Sequence, residues 1–313
     1  MAFSTTAKVW MNGKLIEWKD ATIHVAAHVI HYGTGVFEGI RAYNAGGVPS
    51  IFRLPEHMRR FGDSCRVYRM DPGYTMDALS DAVVETVRAN GFKACYIRPL
   101  IYRGYAQLGV NPLPCPVDTA ILVWEWDAYL GDEAIEQGVD VGVSSWTRLA
   151  PNTLPAMAKG TANYANSGLI KMQAALDGYA EGVALDAAGM VSEGSGQNLF
   201  LVRDGTLYTP SLTSSILQGV TRDTVLVLAR DLGVEVREQA LPREFLYMTD
   251  EAFFCGTAVE ITPIRSIDKI GIGNGRRGPI TEALQKRFFG IVKGELPDTH
   301  NWLTPVPAAV AVK

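Results

Sequence analysis

One lysine in the sequence has neighbours that favour a neutral, reactive amine. Lys159 is the only charged residue between Arg148 and Lys171, and most of the residues beside it are small or apolar. Desolvation without a counter-charge disfavours an ammonium group, and a neutral amine can attack a carbonyl carbon to form a Schiff base. The alternative is an exposed lysine at the start of a helix over residues 161–176, with its aliphatic stem on apolar neighbours. The segment alone leaves both interpretations open.

Two stretches carry residue types that bind phosphate. Gly219 and Thr221 precede an apolar helix that we predict over residues 224–232. A glycine turn before a helix presents free N–H groups at the positive end of the helix dipole. Arg59 and Arg60 lie in another helix, which a proline and a glutamate open. Each of these arginines can lie on a solvated helix face or bind an anion.

An acid and a tyrosine–arginine pair complete the set of candidate side chains. Glu193 lies shortly before a hairpin that we predict around the Asp204-Gly205 turn. A strand predicted over residues 94–102 places Tyr96 and Arg98 on the same face, because side chains two positions apart share one side of a strand.

These residues together have the chemistry of a pyridoxal-phosphate site. The aldehyde of that cofactor requires a lysine. Its pyridine nitrogen requires a carboxylate that keeps it protonated, so that the ring withdraws electrons from a substrate carbanion. Its phosphate requires an arginine and a helix N-terminus. Lys159, an acid on a neighbouring hairpin, either Arg59 or Arg60, and the turn at Gly219 supply these groups, and their coincidence, rather than any one motif, indicates the cofactor.

Length and composition restrict the class of protein. A chain of 313 residues suggests two domains, and a hydrophobic fraction of 47% with 20% charged residues is ordinary for a globular protein. A formal charge of −4 without a long basic run argues against a nucleic-acid partner. Four scattered cysteines and five histidines do not form a metal or disulfide framework. We find no signal peptide and no apolar run of bilayer length, and expect a cytoplasmic protein without a membrane partner.

Hairpins and separated helices dominate the predicted elements, so the pattern disagrees with repeated βαβ units. A hairpin around Asn12-Gly13 opens the chain, and an amphipathic helix over residues 76–90 ends at Gly91. We also expect strands over residues 120–124, 139–146 and 251–256, a helix over residues 279–293 and a loose tail after Pro297.

A glycine-rich segment hints at another class of enzyme. Gly273, Gly275 and Gly278 match the G-x-G-x-x-G pattern of dinucleotide-binding oxidoreductases. That pattern needs a later strand ending in an acid about twenty residues on. The acid at that distance, Asp298, lies in the predicted tail, so we reject a nicotinamide oxidoreductase.

Several motifs spaced along the chain carry a family resemblance: His31–Gly33, Phe37–Arg41, Tyr96–Leu100, Ala150–Thr153 before Lys159, Ser192–Gly194, Asn198–Phe200, Gly219–Asp223 and Gly256–Glu260. With them the chain closely resembles the bacterial-type branched-chain amino-acid aminotransferases, which are fold-type IV, class IV pyridoxal-phosphate enzymes. The resemblance covers nearly the whole length. It implies an α+β fold of two domains with the cofactor in the cleft between them.

The resemblance implies a role for each matching residue. Lys159 would be the Schiff-base lysine and proton shuttle, Glu193 would pair with the pyridine nitrogen, and Tyr164 would hold the ring hydroxyl. The residues implied for the phosphate are Arg59, Gly219, Val220, Thr221 and Thr257. Those implied for the substrate α-carboxylate are Tyr96 and the backbone of Thr257 and Ala258.

The implied side-chain pocket is apolar with a cation at its edge. Its aromatic wall would consist of Phe37, Trp126, Tyr129 and Tyr164, with Tyr32 and Val110 supplied by the neighbouring subunit. Arg98 would meet the distal carboxylate of glutamate, with Arg41 as a candidate for assisting it. Such a site requires at least a homodimer, and a hexamer built as a trimer of dimers is compatible with it.

The resemblance also implies the domain order and the reaction. We expect a small α+β domain over residues 1–123, an interdomain loop over residues 124–132, and a large domain over residues 133–313 that carries the Schiff-base lysine. The implied reaction is the reversible ping-pong transamination of L-leucine, L-isoleucine and L-valine with 2-oxoglutarate, giving branched-chain 2-oxo acids and L-glutamate. The loop Tyr102–Gly109 and Glu125 could narrow or redirect the pocket.

Three alternatives remain open. A D-amino-acid aminotransferase or an aminodeoxychorismate lyase of the same fold would share Lys159 and Glu193 but would have a different pocket. The pair Tyr96 and Arg98, together with Trp126 and Tyr129, favours the branched-chain enzyme. A cofactor-binding module without catalysis is the third alternative, and an activity assay excludes it.

Overall fold

The computed structural model describes residues 7–126 and 133–308, and their backbone contacts group them into two compact units. The first unit contains the described residues up to Trp126, the segment Ala158–Ala162 and the described residues from Gly290 on. The second contains the described residues of 127–157 and the segment Asn163–Phe289. Each unit combines helices with a sheet, which confirms the predicted α+β class.

The strands are β1 (Lys8–Met11), β2 (Lys14–Glu17), β3 (Gly35–Phe37), β4 (Ile40–Ala45), β5 (Val48–Phe52), β6 (Cys95–Arg103), β7 (Val117–Trp124), β8 (Val139–Val143), β9 (Glu181–Leu185), β10 (Val191–Gly194), β11 (Asn198–Arg203), β12 (Thr206–Pro210), β13 (Val236–Gln239), β14 (Glu251–Gly256), β15 (Glu260–Ile267), β16 (Ile270–Gly271) and β17 (Leu303–Pro305). The helices are α1 (His28–Tyr32), α2 (Leu54–Val67), α3 (Met76–Asn90), α4 (Ala134–Gln137), α5 (Asn163–Leu176), α6 (Val220–Asp231) and α7 (Pro279–Val292).

The first unit has an antiparallel sheet in the order β17-β5-β4-β6-β7-β1-β2, with β3 paired to β6. Its core is covered by α2, which buries Leu54, Met58 and Phe61 at the spacing of one helix face, and by α3. The ends of α3 agree with the prediction. Thr75 caps its first turn, and Gly91 ends it in the left-handed conformation at φ 68°.

The second unit has a mixed sheet in the order β10-β9-β8-β15-β14-β11-β12-β13, with β16 paired to β15. The pairs β8–β9, β8–β15 and β12–β13 are parallel, and the remaining neighbours are antiparallel. A separate core lies on this sheet and contains Leu199, Phe254 and Ile264.

Both predicted two-residue hairpin turns are present. Asn12 and Gly13 have φ 47° and 89°, and Asp204 and Gly205 have φ 50° and 76°. Positive φ at both central positions is the turn geometry that matches the twist of paired strands, and asparagine, aspartate and glycine adopt it most easily.

The prediction of a loose tail after Pro297 was wrong for the described residues. The strand β17 pairs with β5, Arg53 donates its backbone N–H to the Trp302 carbonyl at 2.6 Å, and the Trp302 ring packs edge-on against Phe52. Trp302 is 5% exposed, so burial of a large aromatic surface holds this segment in place.

The predicted domain boundaries stay a prediction. The two compact units differ from the predicted domains in two places. The segment Ala158–Ala162 groups with the first unit, because its backbone bonds to β3. The residues from Gly290 group there as well, because β17 pairs with β5. The expected interdomain loop falls largely on residues 127–132, which lie outside the described residues.

Two further features bear on the class of protein. Within residues 7–126 and 133–308, no helix has both the length and the apolarity that a bilayer span requires. The four cysteines are buried free thiols.

Candidate active site

Lys159 is held in place through its backbone. Its amide N–H donates to the Ser64 hydroxyl on α2 at 3.0 Å, and its carbonyl accepts from the Phe37 N–H at 3.0 Å. The next residue, Gly160, forms an isolated antiparallel bridge with Val36. The lysine segment is therefore a short addition to β3, and the aliphatic stem of Lys159 starts from a fixed point.

A glycine is required at position 160, because the Tyr68 side chain lies very close to the backbone there. A Cβ atom at this position would lie 2.4 Å from the Tyr68 hydroxyl, which no side chain could tolerate without displacement. Beyond it, Thr161 donates its N–H to the Gly35 carbonyl at 2.9 Å and its hydroxyl to the Gly33 carbonyl at 2.6 Å. These bonds keep Thr161 out of the helix, so α5 begins at Asn163 and not at the predicted residue 161.

The side chains of Lys159 and Arg98 lie against one aromatic ring in this unit. The Lys159 Nζ atom is 5.0 Å from the centroid of the Phe37 ring, and the Arg98 guanidinium carbon is 4.6 Å from the same centroid. The guanidinium also faces the rings of Tyr96 and Trp124 at 5.4 and 5.7 Å. The structure thus brings together the predicted lysine, the predicted pocket wall and the predicted carboxylate-binding arginine.

Arg98 has unused hydrogen-bonding capacity. Its Nη2 atom donates to the Tyr96 hydroxyl at 3.5 Å, at the limit of a hydrogen bond, which confirms that the two side chains share a strand face. Its Nε atom is buried and has no hydrogen-bond partner among the described residues. A buried donor in this state favours a ligand with an acceptor, such as a carboxylate.

Aromatic rings continue the surface around Tyr96. Its ring centroid lies 5.0 Å from that of Trp124 and 4.4 Å from that of Trp126. Arg41 donates from Nη2 to the Trp126 carbonyl at 2.9 Å, so this candidate residue reaches the same surface. Tyr129, the remaining predicted wall residue next to Trp126 in sequence, lies outside the described residues.

A buried charged network is centred on Glu38, the residue after Phe37. Glu38 is fully buried, accepts two hydrogen bonds from Arg60 at 2.7 and 2.8 Å, and is bonded to the His57 ring at 2.8 Å. Burial by itself raises the pKa of Glu38, but Arg60 and His57 outweigh it and hold the pKa well below the usual 4.5. Burial lowers the pKa of His57 despite the attraction of Glu38, so the ring is neutral and donates from Nδ1.

Sequence reasoning missed this network. It left Arg60 as a solvated or anion-binding side chain, whereas Arg60 pairs with Glu38. The signal available was the strand break after Phe37, where Glu38 interrupts an otherwise apolar run. An acid at a buried strand break requires a cationic partner, but the sequence does not say which of several nearby arginines supplies it.

In the second unit a buried carboxylate occupies the end of β10. Glu193 is 4% exposed and accepts from Arg148 Nη2 at 2.7 Å, from Asn198 Nδ2 at 3.0 Å and from the Leu217 N–H at 3.1 Å. Donors of this kind favour the charged carboxylate. Arg148 and Asn198 were not assigned roles from the sequence, although Asn198 belongs to one of the matching motifs.

The same asparagine reaches the glycine turn. Asn198 Oδ1 lies so close to Gly219 that a Cβ there would be 2.0 Å away. Gly219 has extended backbone angles and is the N-cap of α6, so Val220 and Thr221 form the first helical turn. The predicted start of this helix at residue 224 was therefore wrong, and the candidate phosphate residues belong to the helix N-terminus itself.

Further candidates of the second unit lie near residues 196 and 197. The position of a Cβ on Gly196 is 4.0 Å from the Tyr164 ring, and that of a Cβ on Gly256 is 3.9 Å from Gln197. Thr257 and Ala258 follow Gly256 in the turn after β14. Tyr164 and this turn therefore approach one segment of the chain.

Three further predicted residues are exposed to solvent. Arg59 is exposed on α2 and lines a cavity of about 610 Å³ with Asp63 and Arg66. Tyr32 and Val110 are 42% and 86% exposed.

The glycine-rich segment is not a nucleotide site. The Glu251 carboxylate accepts from the backbone N–H groups of Ile280 and Thr281 at 3.0 and 2.8 Å, at the N-terminus of α7. A Cβ at Gly278 would lie 2.1 Å from that carboxyl group. The helix end that would bind pyrophosphate is thus occupied by an acid, and the rejection of a dinucleotide fingerprint agrees with the structure.

Comparisons with known proteins agree with this chemistry. A family model described as amino-transferase class IV matches residues 35–267. The branched-chain-amino-acid aminotransferase of Salmonella typhimurium is 50% identical over 299 residues, which cover 95% of this chain and 97% of that protein. A crystal structure of the Escherichia coli branched-chain amino acid aminotransferase has a TM-score of 0.95 at 50% identity, covering 96% of this chain and 100% of that chain. The crystal structure of the Thermobaculum terrenum branched-chain amino acid aminotransferase in its PLP form has a TM-score of 0.91 at 39% identity, covering 97% and 99%.

The Glu38 network predicts an acid-dependent loss of stability. Because the pKa of Glu38 is lowered by folding, its ionised form stabilises the protein above the usual carboxyl pKa of 4.5, and this contribution is lost as the pH falls further. Glu38→Gln should lower the free energy of unfolding by about 3 to 5 kcal/mol near neutral pH, since it removes the fully buried carboxylate that pairs with Arg60. Urea denaturation should show this difference shrinking below about pH 4.

The exposed Glu244→Gln variant is the matched control for the loss of one carboxylate. It should unfold like the parent protein across the same pH range. A stability difference for Glu38→Gln that stayed constant into acid would contradict an ionised Glu38.

Proposed function

The chain belongs to the class IV amino-transferase family, and we propose that Lys159 and Glu193 carry its reaction. That reaction is the reversible transamination of L-leucine, L-isoleucine and L-valine with 2-oxoglutarate, which gives branched-chain 2-oxo acids and L-glutamate. The cofactor is pyridoxal 5'-phosphate. The D-amino-acid aminotransferase and the lyase of the same fold are not favoured.

The donor set of the second unit fits this cofactor. A buried carboxylate that accepts from Arg148 and Asn198 suits a protonated ring nitrogen, and we assign that contact to Glu193. Gly219 is the N-cap of α6, and the N-terminus of a helix after a glycine suits phosphate. The residues proposed for phosphate are Arg59, Gly219, Val220, Thr221 and Thr257, and Tyr164 is proposed for the ring hydroxyl.

Lys159 is proposed to bond the cofactor and to move the proton. When bound, the cofactor supplies an aldehyde carbon for the lysine amine and a ring that withdraws electrons from the substrate Cα. Lys159 Nζ accepts the proton from that Cα as a general base and donates it again later. The bonds of the Lys159 backbone with Ser64 and Phe37 fix the point from which the side chain moves, which supports a repeated transfer over a short distance.

Arg98 is proposed to let one pocket accept two kinds of side chain. The aromatic surface of Phe37 and Trp126, with Tyr129 and Tyr164, would contact the aliphatic side chain of leucine. The buried Nε donor of Arg98 would bond the distal carboxylate of glutamate, with Arg41 beside it. Tyr96 and the backbone of Thr257 and Ala258 are proposed for the α-carboxylate.

We propose that the enzyme is at least a homodimer, and that Tyr32 and Val110 enter the site of the neighbouring subunit. These residues belong to one surface, because the His28 ring bonds the Gly109 carbonyl at 2.7 Å. The rings of His24 and Tyr105, on the same two segments, lie 4.4 Å apart. Further exposed apolar residues on these segments are Ile23, Val25, Ile30, Leu108 and Leu113. A contiguous apolar surface of this kind favours a protein partner, and a hexamer would bury more of it.

A cytoplasmic location is also part of the proposal. The four buried free thiols support it, because a reducing compartment preserves such cysteines.

The lysine assignment predicts where the cofactor is attached. Borohydride reduction of the loaded enzyme should fix the cofactor on Lys159, and mass spectrometry of the digest should find it on the peptide with that residue. Lys159→Ala should lower kcat by about a thousandfold or more, because it removes both the covalent bond and the base. Lys171→Arg, at the next lysine in sequence, should keep activity; a label on Lys171 would overturn the assignment.

The Arg98 assignment predicts that loss of this guanidinium affects the half-reaction of 2-oxoglutarate more than that of L-leucine. Arg98→Met keeps the length and apolar contact of the side chain but loses its donors. The KM for 2-oxoglutarate should rise by roughly tenfold to a hundredfold, the size expected for hydrogen bonds to a charged group, while the KM for L-leucine changes little. Cofactor absorbance follows each half-reaction separately and gives the KM of each substrate. An equal rise in KM for both substrates would contradict the assignment.

The subunit assignment predicts an oligomer that one charge weakens. The mass by light scattering should be at least twice the 34.0 kDa of the chain. Val110→Asp should reduce both that mass and the activity, because it buries an unpaired charge. Val48→Asp, at another exposed valine on β5, is the control. A parent protein of 34.0 kDa in solution would refute the proposal.

A further inference from the structure

Arg148 is a buried cation whose contacts converge on Glu193. It is 6% exposed, and its Nη2 atom donates to Glu193 Oε1 at 2.7 Å. Its Nη1 atom donates to Asn166 Oδ1 on α5 at 3.1 Å. Its backbone N–H donates to the Leu185 carbonyl at 2.8 Å. The side chain is therefore held at both ends, and its direction toward Glu193 is fixed.

The ion pair between Arg148 and Glu193 is poorly explained by stability alone. Burying two charges costs solvation free energy, and an apolar pair of the same volume is often as stable or more stable. The Nε atom of Arg148 is buried and has no hydrogen-bond partner among the described residues, which adds to the cost. A buried pair with such a cost is expected where a fixed charge serves the chemistry.

Both oxygens of Glu193 are oriented by this arrangement. Oε1 accepts from Arg148, while Oε2 accepts from Asn198 Nδ2 at 3.0 Å and from the Leu217 N–H at 3.1 Å. The carboxylate plane is thereby fixed, and its charge is balanced by a cation that approaches Oε1.

We propose that Arg148 is a positioning residue of the aminotransferase reaction, which keeps Glu193 ionised and oriented toward the ring nitrogen of the cofactor. The proposal rests on the role proposed above for Glu193. Arg148 acts through Glu193, so its loss should change the cofactor before it changes substrate binding.

The charged and titratable neighbours of Glu193 make the consequence definite. Arg148 approaches it from the segment after β8, and the Cys255 thiol lies within electrostatic reach on β14. Burial raises the pKa of Cys255 well above its usual range, so this thiol stays neutral. Without Arg148, Glu193 would be a buried carboxylate that has lost its 2.7 Å ion pair, and this loss favours proton uptake. A neutral carboxylic acid cannot stabilise a protonated ring nitrogen.

The test compares Arg148→Met, Arg148→Lys and Arg53→Met in the intact enzyme. Arg53 is the matched control, because it is also buried, at 6% exposure, and pairs with Glu56 at 2.8 Å in the first unit. Arg148→Met should weaken pyridoxal-phosphate binding by roughly tenfold to a hundredfold, as expected for hydrogen bonds between charged groups. Its kcat should fall while the KM for L-leucine stays near the parent value, and activity should recover as the pH rises and Glu193 ionises.

Two further results are expected from the same set. Arg148→Lys should restore part of the cofactor affinity, because it returns the charge without the second donor group. In the apoenzyme, the free energy of unfolding of Arg148→Met should approach that of the parent protein at acidic pH, where Glu193 is protonated in both. Arg53→Met should lower stability without changing cofactor affinity or the pH profile.

The outcomes separate this inference from the proposed function. If the parent enzyme binds pyridoxal phosphate and turns over L-leucine, but Arg148→Met keeps the cofactor affinity and pH profile of the parent, the positioning role is refuted. If the parent enzyme neither binds the cofactor nor turns over, the proposed function itself is refuted.

Discussion

The burial of paired carboxylates is the constraint on which the candidate site depends. Glu38 lies in the first unit and Glu193 in the second, and each accepts from an arginine nitrogen at 2.7 Å. A buried charge of this kind is stable in few arrangements of the residues around it, because those residues must supply hydrogen-bond donors or a countercharge. The conformation of the backbone around each acid is therefore limited, and so are the positions of the side chains next to it in sequence.

In the first unit that restriction reaches the lysine. Glu38 directly follows Phe37, whose N–H holds the Lys159 carbonyl and whose ring lies against both Lys159 and Arg98. Arg60 and Ser64 are one turn apart on α2, so the helix that neutralises the acid also bonds the lysine amide. The position of the Lys159 backbone is in this way set by hydrogen bonds that do not involve the side-chain amine.

Sequence reasoning was most successful where the signal is local. The turns at Asn12-Gly13 and Asp204-Gly205 and both ends of α3 follow from residues within a few positions of each other. The family followed from motifs at many spaced points, and the relatives confirm it. The roles of the individual site residues stay predictions.

What the sequence did not predict depends on contacts between distant positions. Arg60 pairs with an acid 22 residues away, and Arg148 pairs with one 45 residues away. No periodicity or cap marks such a pair, and each arginine resembles a solvated one in its own window. The ordered tail was missed for the same reason, because Trp302 is buried against Phe52 on a strand that precedes it by most of the chain.

The role proposed for Arg98 would explain how one site serves an apolar and an acidic substrate. A guanidinium is planar and weakly hydrated, so stacking on Phe37, Tyr96 and Trp124 stabilises it without a carboxylate partner. A lysine in the same place would need water or a carboxylate beside its ammonium group, and either would take space that the leucine side chain needs. In the proposed role, the stacked arginine would leave an apolar surface for an aliphatic side chain, and its buried Nε donor would remain for a carboxylate. Acceptance of two such different side chains would then follow from the aromatic support of a single cation.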